Sequence, residues 1–288
     1  MLGLAIFTTG LIAIAILVTY PKLPPLDSLQ HYQPKMPLTI YSADGQIIGV
    51  YGEQRREFTK INDFPDILKN AVIAAEDKRF YEHWGVDVWG IARAAISNIV
   101  AGGVQSGAST ITQQVAKNFY LSSERTFTRK FNEALLAYKI EQSLSKDKIL
   151  ELYFNQIYLG QRAYGFASAA QIYFNKNVKD LTLAEAAMLA GLPKAPSAYN
   201  PIVNPERAKL RQTYILNNML EEGMITSQQR DDALKEELHY ERFVQKIDQN
   251  ALYVAEMVRQ ELYEKYGEEA YTQGFHVYTT VNTANQRV

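Results

Sequence analysis

From Leu2 to Tyr20 the chain carries no charged side chain and is built mainly from Leu, Ile, Ala and Val. About 20 residues rising 1.5 Å each cross a bilayer core, so this run predicts a transmembrane helix. A signal peptide is the rival reading, but its apolar region is shorter, about 7–15 residues, and follows positive charge. No Lys or Arg precedes this run and Lys22 follows it, a bias that taken literally places the body inside the cell. Pro21, Pro24 and Pro25 make a stiff exit. Two apolar runs between Leu38 and Tyr51 then flank Asp44-Gly45, the preferred pair for a type I′ turn, and predict a β-hairpin. A lone hairpin is marginal in water and needs a partner.

From Phe64 to about Leu238 the apolar spacing turns helical. Pro65 suits the first turn of a helix carrying Ile67, Leu68, Ala71 and Val72. Thr182 with Glu185 forms a capping box ahead of an apolar run that Gly191 and Pro193 close, and Thr226 with Gln229 repeats the device. Capped helices in succession mean a packed, mainly α domain. The β-branched and aromatic run Gly274–Asn282 predicts a strand, expected to join the hairpin in one small antiparallel sheet outside the helices. A strand so placed suggests that its continuation lies beyond this sequence.

Composition narrows the chemistry. The 288 residues leave room for one substantial domain or two smaller ones plus appendages. A net charge of −1 offers no basic field for nucleic acid. The absence of cysteine removes disulfides, thiolate nucleophiles and cysteine zinc sites. The four histidines are scattered and no H-E-x-x-H occurs, so a metal here would be a hard ion held by carboxylates and substrate oxygens.

Three stretches carry candidate chemistry. In Ile73–Gly85 a continued helical path puts Val72, Glu76, Phe80 and His83 near one face, with Glu76 on the apolar side. Desolvation there would raise its pKa and suit it to proton transfer, while Asp77, about 100° away, serves another direction. An ordinary solvated helix end is the plain alternative. In Gly107–Asn118 the glycines at 102, 103 and 107 permit a mobile loop before a helix that opens near Ser109 or Thr110. Ser109, Gln113 and Lys117 then share a stripe suited to a phosphate-bearing polyol, unless they form only a capped, solvated face. In Arg129–Glu133, Arg129 and Lys130 are spaced to pair with Glu133, either as weak exposed pairs or, in a cleft, as a holder of diphosphate and a divalent ion. Between the first two stretches, Val86–Gly103 is largely apolar with only Asp87 and Arg93 charged. It reads as core helix or as a segment dipping into a lipid interface.

In this order these stretches resemble the family 51 glycosyltransferases, the peptidoglycan polymerases of bacteria. Glu76-Asp-x-x-Phe80-x-x-His83-x-Gly85, Gly107-x-Ser-Thr-Ile-Thr-Gln-Gln114 with Lys117-Asn118, and Arg129-Lys-x-x-Glu133 are similar to the family's first three motifs. Lys146-x-x-Ile-Leu-Glu-x-Tyr-Phe-Asn155 and Arg211-x-x-x-Ile-Leu-x-x-Met219 are similar to the fourth and fifth, with conservative swaps at Phe154 and Ile215. The flanks look like those of a class A penicillin-binding protein whose transpeptidase half is absent. Ser143-x-x-Lys146 has no Lys-Thr-Gly or Ser-x-Asn beside it and reads as coincidence.

The resemblance implies a lysozyme-like, mainly helical fold with residues 1–21 as membrane anchor, 22–60 as linker and hairpin, 61–240 as glycosyltransferase domain, and 241–288 as a helix and strand of the linker onward. It implies polymerisation of lipid II onto a growing lipid-linked glycan, at the extracytoplasmic side of the inner membrane, among cell-wall synthesis partners and sensitive to moenomycin-like phosphoglycolipids. Glu76 would be the general base and Glu133 the second carboxylate, holding a divalent ion (Mg or Mn) with the substrate diphosphate or aligning cations. Arg93, Ser109, Gln113, Gln114, Lys117, Arg129, Lys130 and Asn155 would bind substrate. A muramidase or lytic transglycosylase of the same fold, or a non-catalytic membrane scaffold, are the alternatives.

Overall fold

The structure is a computed structural model that describes residues 2–286 apart from 31, 33, 53–54, 101–108, 122–125, 241–242 and 244–246. In chain order its helices are α1 (Leu2–Thr19), α2 (Asp27–Gln30), α3 (Asp66–Glu76), α4 (Val88–Val100), α5 (Ile111–Tyr120), α6 (Phe127–Ser143), α7 (Lys146–Gln156), α8 (Phe166–Phe174), α9 (Leu183–Ala190), α10 (Pro205–Glu221), α11 (Ser227–Lys235) and α12 (Leu252–Tyr266). The strands are β1 (Leu38–Tyr41), β2 (Ile47–Tyr51), β3 (Arg55–Arg56), β4 (Ala163–Tyr164) and β5 (His276–Tyr278). The chain is thus mainly helical, with two small sheets ordered β2-β1-β5 and β3-β4. It divides into two compact units, 1–32 with 76–153 and 33–75 with 154–288. The helical stretch 61–240 therefore contributes to both, and the boundaries fall inside α3 and α7.

In the first unit α5 lies against α6, burying Ile111, Val115, Leu136 and Ile140. The proline-rich exit is tied to α6, where the Lys139 ammonium donates to the carbonyls of Leu23 at 3.4 Å and Pro24 at 3.0 Å. Among the described residues no helix is long and apolar enough to cross a membrane. The helix α1 has 18 residues, against the about 20 that a core of about 30 Å requires. The expected loop glycines 102, 103 and 107 lie outside the described residues.

In the second unit the capping boxes at Thr182/Glu185 and Thr226/Gln229 form as the spacing predicts. The three-stranded sheet packs Leu38, Ile40 and Ile48 against Ala251 and Ala255 at the start of α12, which supplies the missing half of the hairpin's core. Two expectations about it are corrected. The hairpin does not close with a type I′ turn. Gly45 alone has positive φ, +77°, with the bonds Gly45 N–H to Ser42 O at 3.1 Å and Ser42 N–H to Gln46 O at 2.9 Å. That is a type I turn ended by a left-handed glycine, and a shift in the β1–β2 register accommodates the extra residue. The terminal strand does join the hairpin, but β5 runs parallel to β1, pairing Thr39 with His276 and Tyr41 with Tyr278. The long chain between them permits a parallel crossover that a tight turn would forbid.

The hairpin turn is fastened to the segment after β5. The Asp44 carboxylate accepts from the Thr283 amide at 2.9 Å and its hydroxyl at 2.7 Å. The amide and then the hydroxyl of Thr283 hold its pKa down at about 2, from 3.8. A depressed carboxylate contributes above its unfolded pKa and loses that contribution as pH falls through the folded one. Protection of the Thr283 amide from hydrogen exchange is therefore expected to hold above about pH 4, to vanish as pH approaches about 2, and to be lost at all pH in Asp44→Asn.

Candidate active site

Helix α3 ends at Glu76 rather than running on towards His83. The continued helical path expected for Phe80 and His83 is thus corrected: both lie in the turns that follow, with Phe80 fully buried. The turn is what releases Asp77 from the helix. Its buried carboxylate accepts from His83 Nε2 at 2.9 and 3.0 Å and from the Ile111 amide, the first residue of α5, at 2.9 Å. Gly85 N–H donates to His83 Nδ1 at 3.1 Å, which makes Nδ1 the acceptor and leaves the proton on Nε2. Asp77 is therefore committed to joining the two motifs, whereas Glu76, half-buried, accepts from the Gln114 amide at 2.9 Å. The Tyr153 hydroxyl donates in turn to Gln114 Oε1 at 3.5 Å.

Helix α5 opens at Thr110, which caps it. Gln113 does not share a polar stripe with Ser109 and Lys117. It is buried and turns back to accept from the Thr110 amide at 3.0 Å, because the first turn of a helix leaves amides in need of partners. Ser109 goes elsewhere, accepting from the Lys130 ammonium at 2.8 Å. Lys130 also bonds Glu133 Oε1, and Arg129 donates to Glu133 Oε2 at 3.2 Å. The two pairs have the spacing read from the sequence, but Glu133 is 2 % exposed, so this is a buried carboxylate gripped by two cations rather than a solvated face. Arg129 Nε is buried with no hydrogen-bond partner among the described residues. Lys117 and Arg93 are exposed and bond no described side chain.

Asn155 lies in the second unit, where it accepts from the Thr59 amide at 2.9 Å and donates to the Thr59 carbonyl at 2.8 Å. Its position in the fourth motif thus reflects backbone support. Lys146 of that motif supports as well: its ammonium donates to His83 O at 2.7 Å and Glu141 Oε1 at 2.8 Å, 4.6 Å from the Phe80 ring centre. Among the described residues Ser143 bonds its own helix, donating to Lys139 O at 3.1 Å, so Ser143 and Lys146 are engaged separately. Tyr153 and the Lys146–Glu141–Thr112 chain were not singled out by residue chemistry, although Lys146 and Tyr153 stand in the quoted fourth motif.

As a metal ligand Glu133 fits poorly. Both its oxygens are taken by cations, and the described residues contain no group of three His, Cys, Asp or Glu that could hold an ion. The donor set suits direct neutralisation of an anion by Arg129 and Lys130.

Residues 44–220 match the family Transglycosylase. The chain belongs to the transglycosylase family. It is 89 % identical over 286 residues to penicillin-binding protein 1A of Neisseria flavescens, covering 99 % of this chain and 36 % of that one. Against penicillin-binding protein 1A of Neisseria cinerea it is 88 % identical over 287 residues, covering 100 % and 36 %. The crystal structure of penicillin-binding protein 1A from Haemophilus influenzae superposes with a TM-score of 0.51 at 35 % identity, over 88 % of this chain and 28 % of that one. This transglycosylase chain thus spans 36 % of the length of those Neisseria relatives, corresponding to the glycosyltransferase part of a class A penicillin-binding protein.

Backbone packing is close at Gly85, whose φ is +91° and where a Cβ would lie 2.7 Å from both the carbonyl carbon and oxygen of Ala137. Gly85→Ala is expected to cost about 1–3 kcal/mol or more of unfolding free energy, read from denaturant midpoints.

Proposed function

We propose that this chain polymerises lipid II into β-1,4 glycan strands with inversion at the donor's C1. The observation that carries the reading is that one unit holds both a half-buried carboxylate, Glu76, and two cations gathered on the buried Glu133. Glu76 takes the proton of the acceptor sugar's 4-hydroxyl, and that oxygen forms the new bond to C1. The C1–oxygen bond to undecaprenyl diphosphate breaks on the opposite face, as in an inverting glycosidase with a sugar hydroxyl in place of water. Diphosphate leaves with its electron pair and needs no general acid when cations neutralise it. Lys130 and Arg129 supply that charge, with Lys117 as a further candidate. Gln114 orients Glu76, and Ser109 holds Lys130.

A lysozyme-like arrangement of the helices and an anchor at Leu2–Tyr20, with the helical domain on the extracytoplasmic face of the inner membrane, complete the proposal. Support for a lipid-facing lip comes from α4, where Trp89 is 74 % exposed, Ile96 64 % and Ile99 79 %. A hydrolase of related fold would shorten glycan chains instead of extending them.

Glu76→Gln keeps the Gln114 contact within reach but cannot accept a proton. Polymerisation of lipid II is expected to fall by ~10²–10⁴-fold, and Asp77→Asn to act instead by loosening the α5 start, visible as lowered thermal stability. Near-normal turnover in Glu76→Gln would remove the carboxylate from the mechanism. Asp at both Ile96 and Ile99 is expected to abolish work on vesicle-embedded lipid II while sparing a short-chain soluble analogue, since charge on an interfacial helix opposes burial in lipid. Equal loss on both substrates would make these side chains part of the fold's support.

A further inference from the structure

We infer that Arg211 and Asn218, on α10, are positioning residues for the catalytic carboxylate: they hold the last carbonyls of α3 and so fix where that helix stops and how Glu76 is presented. The inference rests on Glu76 being the base. A helix leaves its last four carbonyls without intrahelical donors, and in α3 these belong to Ile73, Ala74, Ala75 and Glu76. Asn218 Nδ2 donates to the Ala74 carbonyl at 3.0 Å, and Arg211 Nη2 to the Ala75 carbonyl at 3.4 Å. Both side chains are buried, at 5 % and 8 % exposure. They stand two turns apart on one face of α10, so a single rigid helix delivers both donors.

The approach of Arg211 is built rather than incidental. Its guanidinium carbon lies 4.9 Å from the Tyr214 ring centre and 5.8 Å from that of Tyr199, and aromatic faces favour and orient a cation there. Its stem passes the C-cap of α9, where a Cβ on Gly191 would lie 2.9 Å from Arg211 Cγ. A buried cation at a helix C-terminus complements the partial negative charge of the free carbonyls. One consequence follows for Glu76, which Ala75 precedes directly. Without donors the last turn would fray or tighten, and a change in one peptide's dihedrals swings the next Cβ.

The test compares lipid II polymerisation by the full chain carrying Arg211→Met, Asn218→Leu, Arg211→Lys or Glu76→Gln. Arg211→Met and Asn218→Leu are expected to lower kcat about 10-fold or more with KM within about twofold, because an aiming role acts on the transition state and not on uniform binding. Arg211→Lys, which restores a cation, is expected to recover most of the loss. If Arg211→Met does not fold, Asn218→Leu decides by kcat and KM. Wild-type kcat in folded Asn218→Leu or folded Arg211→Met, or a rise in KM alone, overturns the inference while Glu76→Gln stays inactive. Retained turnover in Glu76→Gln overturns the assignment of the base instead, whatever the α10 variants do.

Discussion

The Asp77 carboxylate is buried and accepts three hydrogen bonds, from His83 Nε2 twice over and from the first amide of α5. Burying such a group is costly unless every lone pair is used, and here each bond also fixes geometry. The amide of Ile111 is one that no helix can satisfy internally, and the positive end of α5 favours an anion there. His83 is held in one tautomer by Gly85, whose backbone lies where no side chain fits. The end of α3, the turn after it and the start of α5 thus share one electrostatic knot. Glu76 and Gln114 stand beside it, one residue before Asp77 and three after Ile111, and their contact at 2.9 Å inherits that rigidity.

A second buried carboxylate works differently. Glu133 takes Arg129 and Lys130 from its own helix, and Lys130 reaches on to Ser109. Two cations side by side repel, and a carboxylate between them lets both remain near one place before any anion arrives. An anion entering here would meet charge already assembled, with little reorganisation left. Among the described residues the buried Arg129 Nε–H has no partner, and an incoming anion's oxygen would satisfy it.

Much of this was legible in the residues. Capping boxes at Thr182 and Thr226, the helical opening near Thr110 and the pairing of Arg129 and Lys130 with Glu133 all follow from spacings of three and four. What local spacing did not reveal were competitions between partners. Gln113 has the spacing of a stripe, yet the unsatisfied amide of Thr110 claims it. Asn155 has a binding residue's chemistry, yet a backbone 96 positions away takes both its polar atoms. The turn at Gly45 carries the dipeptide of one hairpin class and adopts another, because one bulged residue in the register decides which residues need positive φ. The direction of β5 is a long-range fact with no local signal.

The competition for Gln113 has a cause that also explains how a helical chain keeps a site precise. Helix ends are the places where backbone groups lack partners, and this chain places its candidate site residues at such ends: Glu76 closes α3, Ser109 and Gln114 flank the cap of α5, and Arg129 and Lys130 follow the cap of α6. Side chains near a helix end are drawn into capping unless something else supplies the bond. Thr110 and Gln113 cap α5, Thr126 caps α6, and Arg211 with Asn218 serve the end of α3. With those backbone demands met by neighbours, Gln114 remains bonded to Glu76, and Lys130 to Ser109 and Glu133. Order in the candidate site is a consequence of which residues are spared from holding the fold.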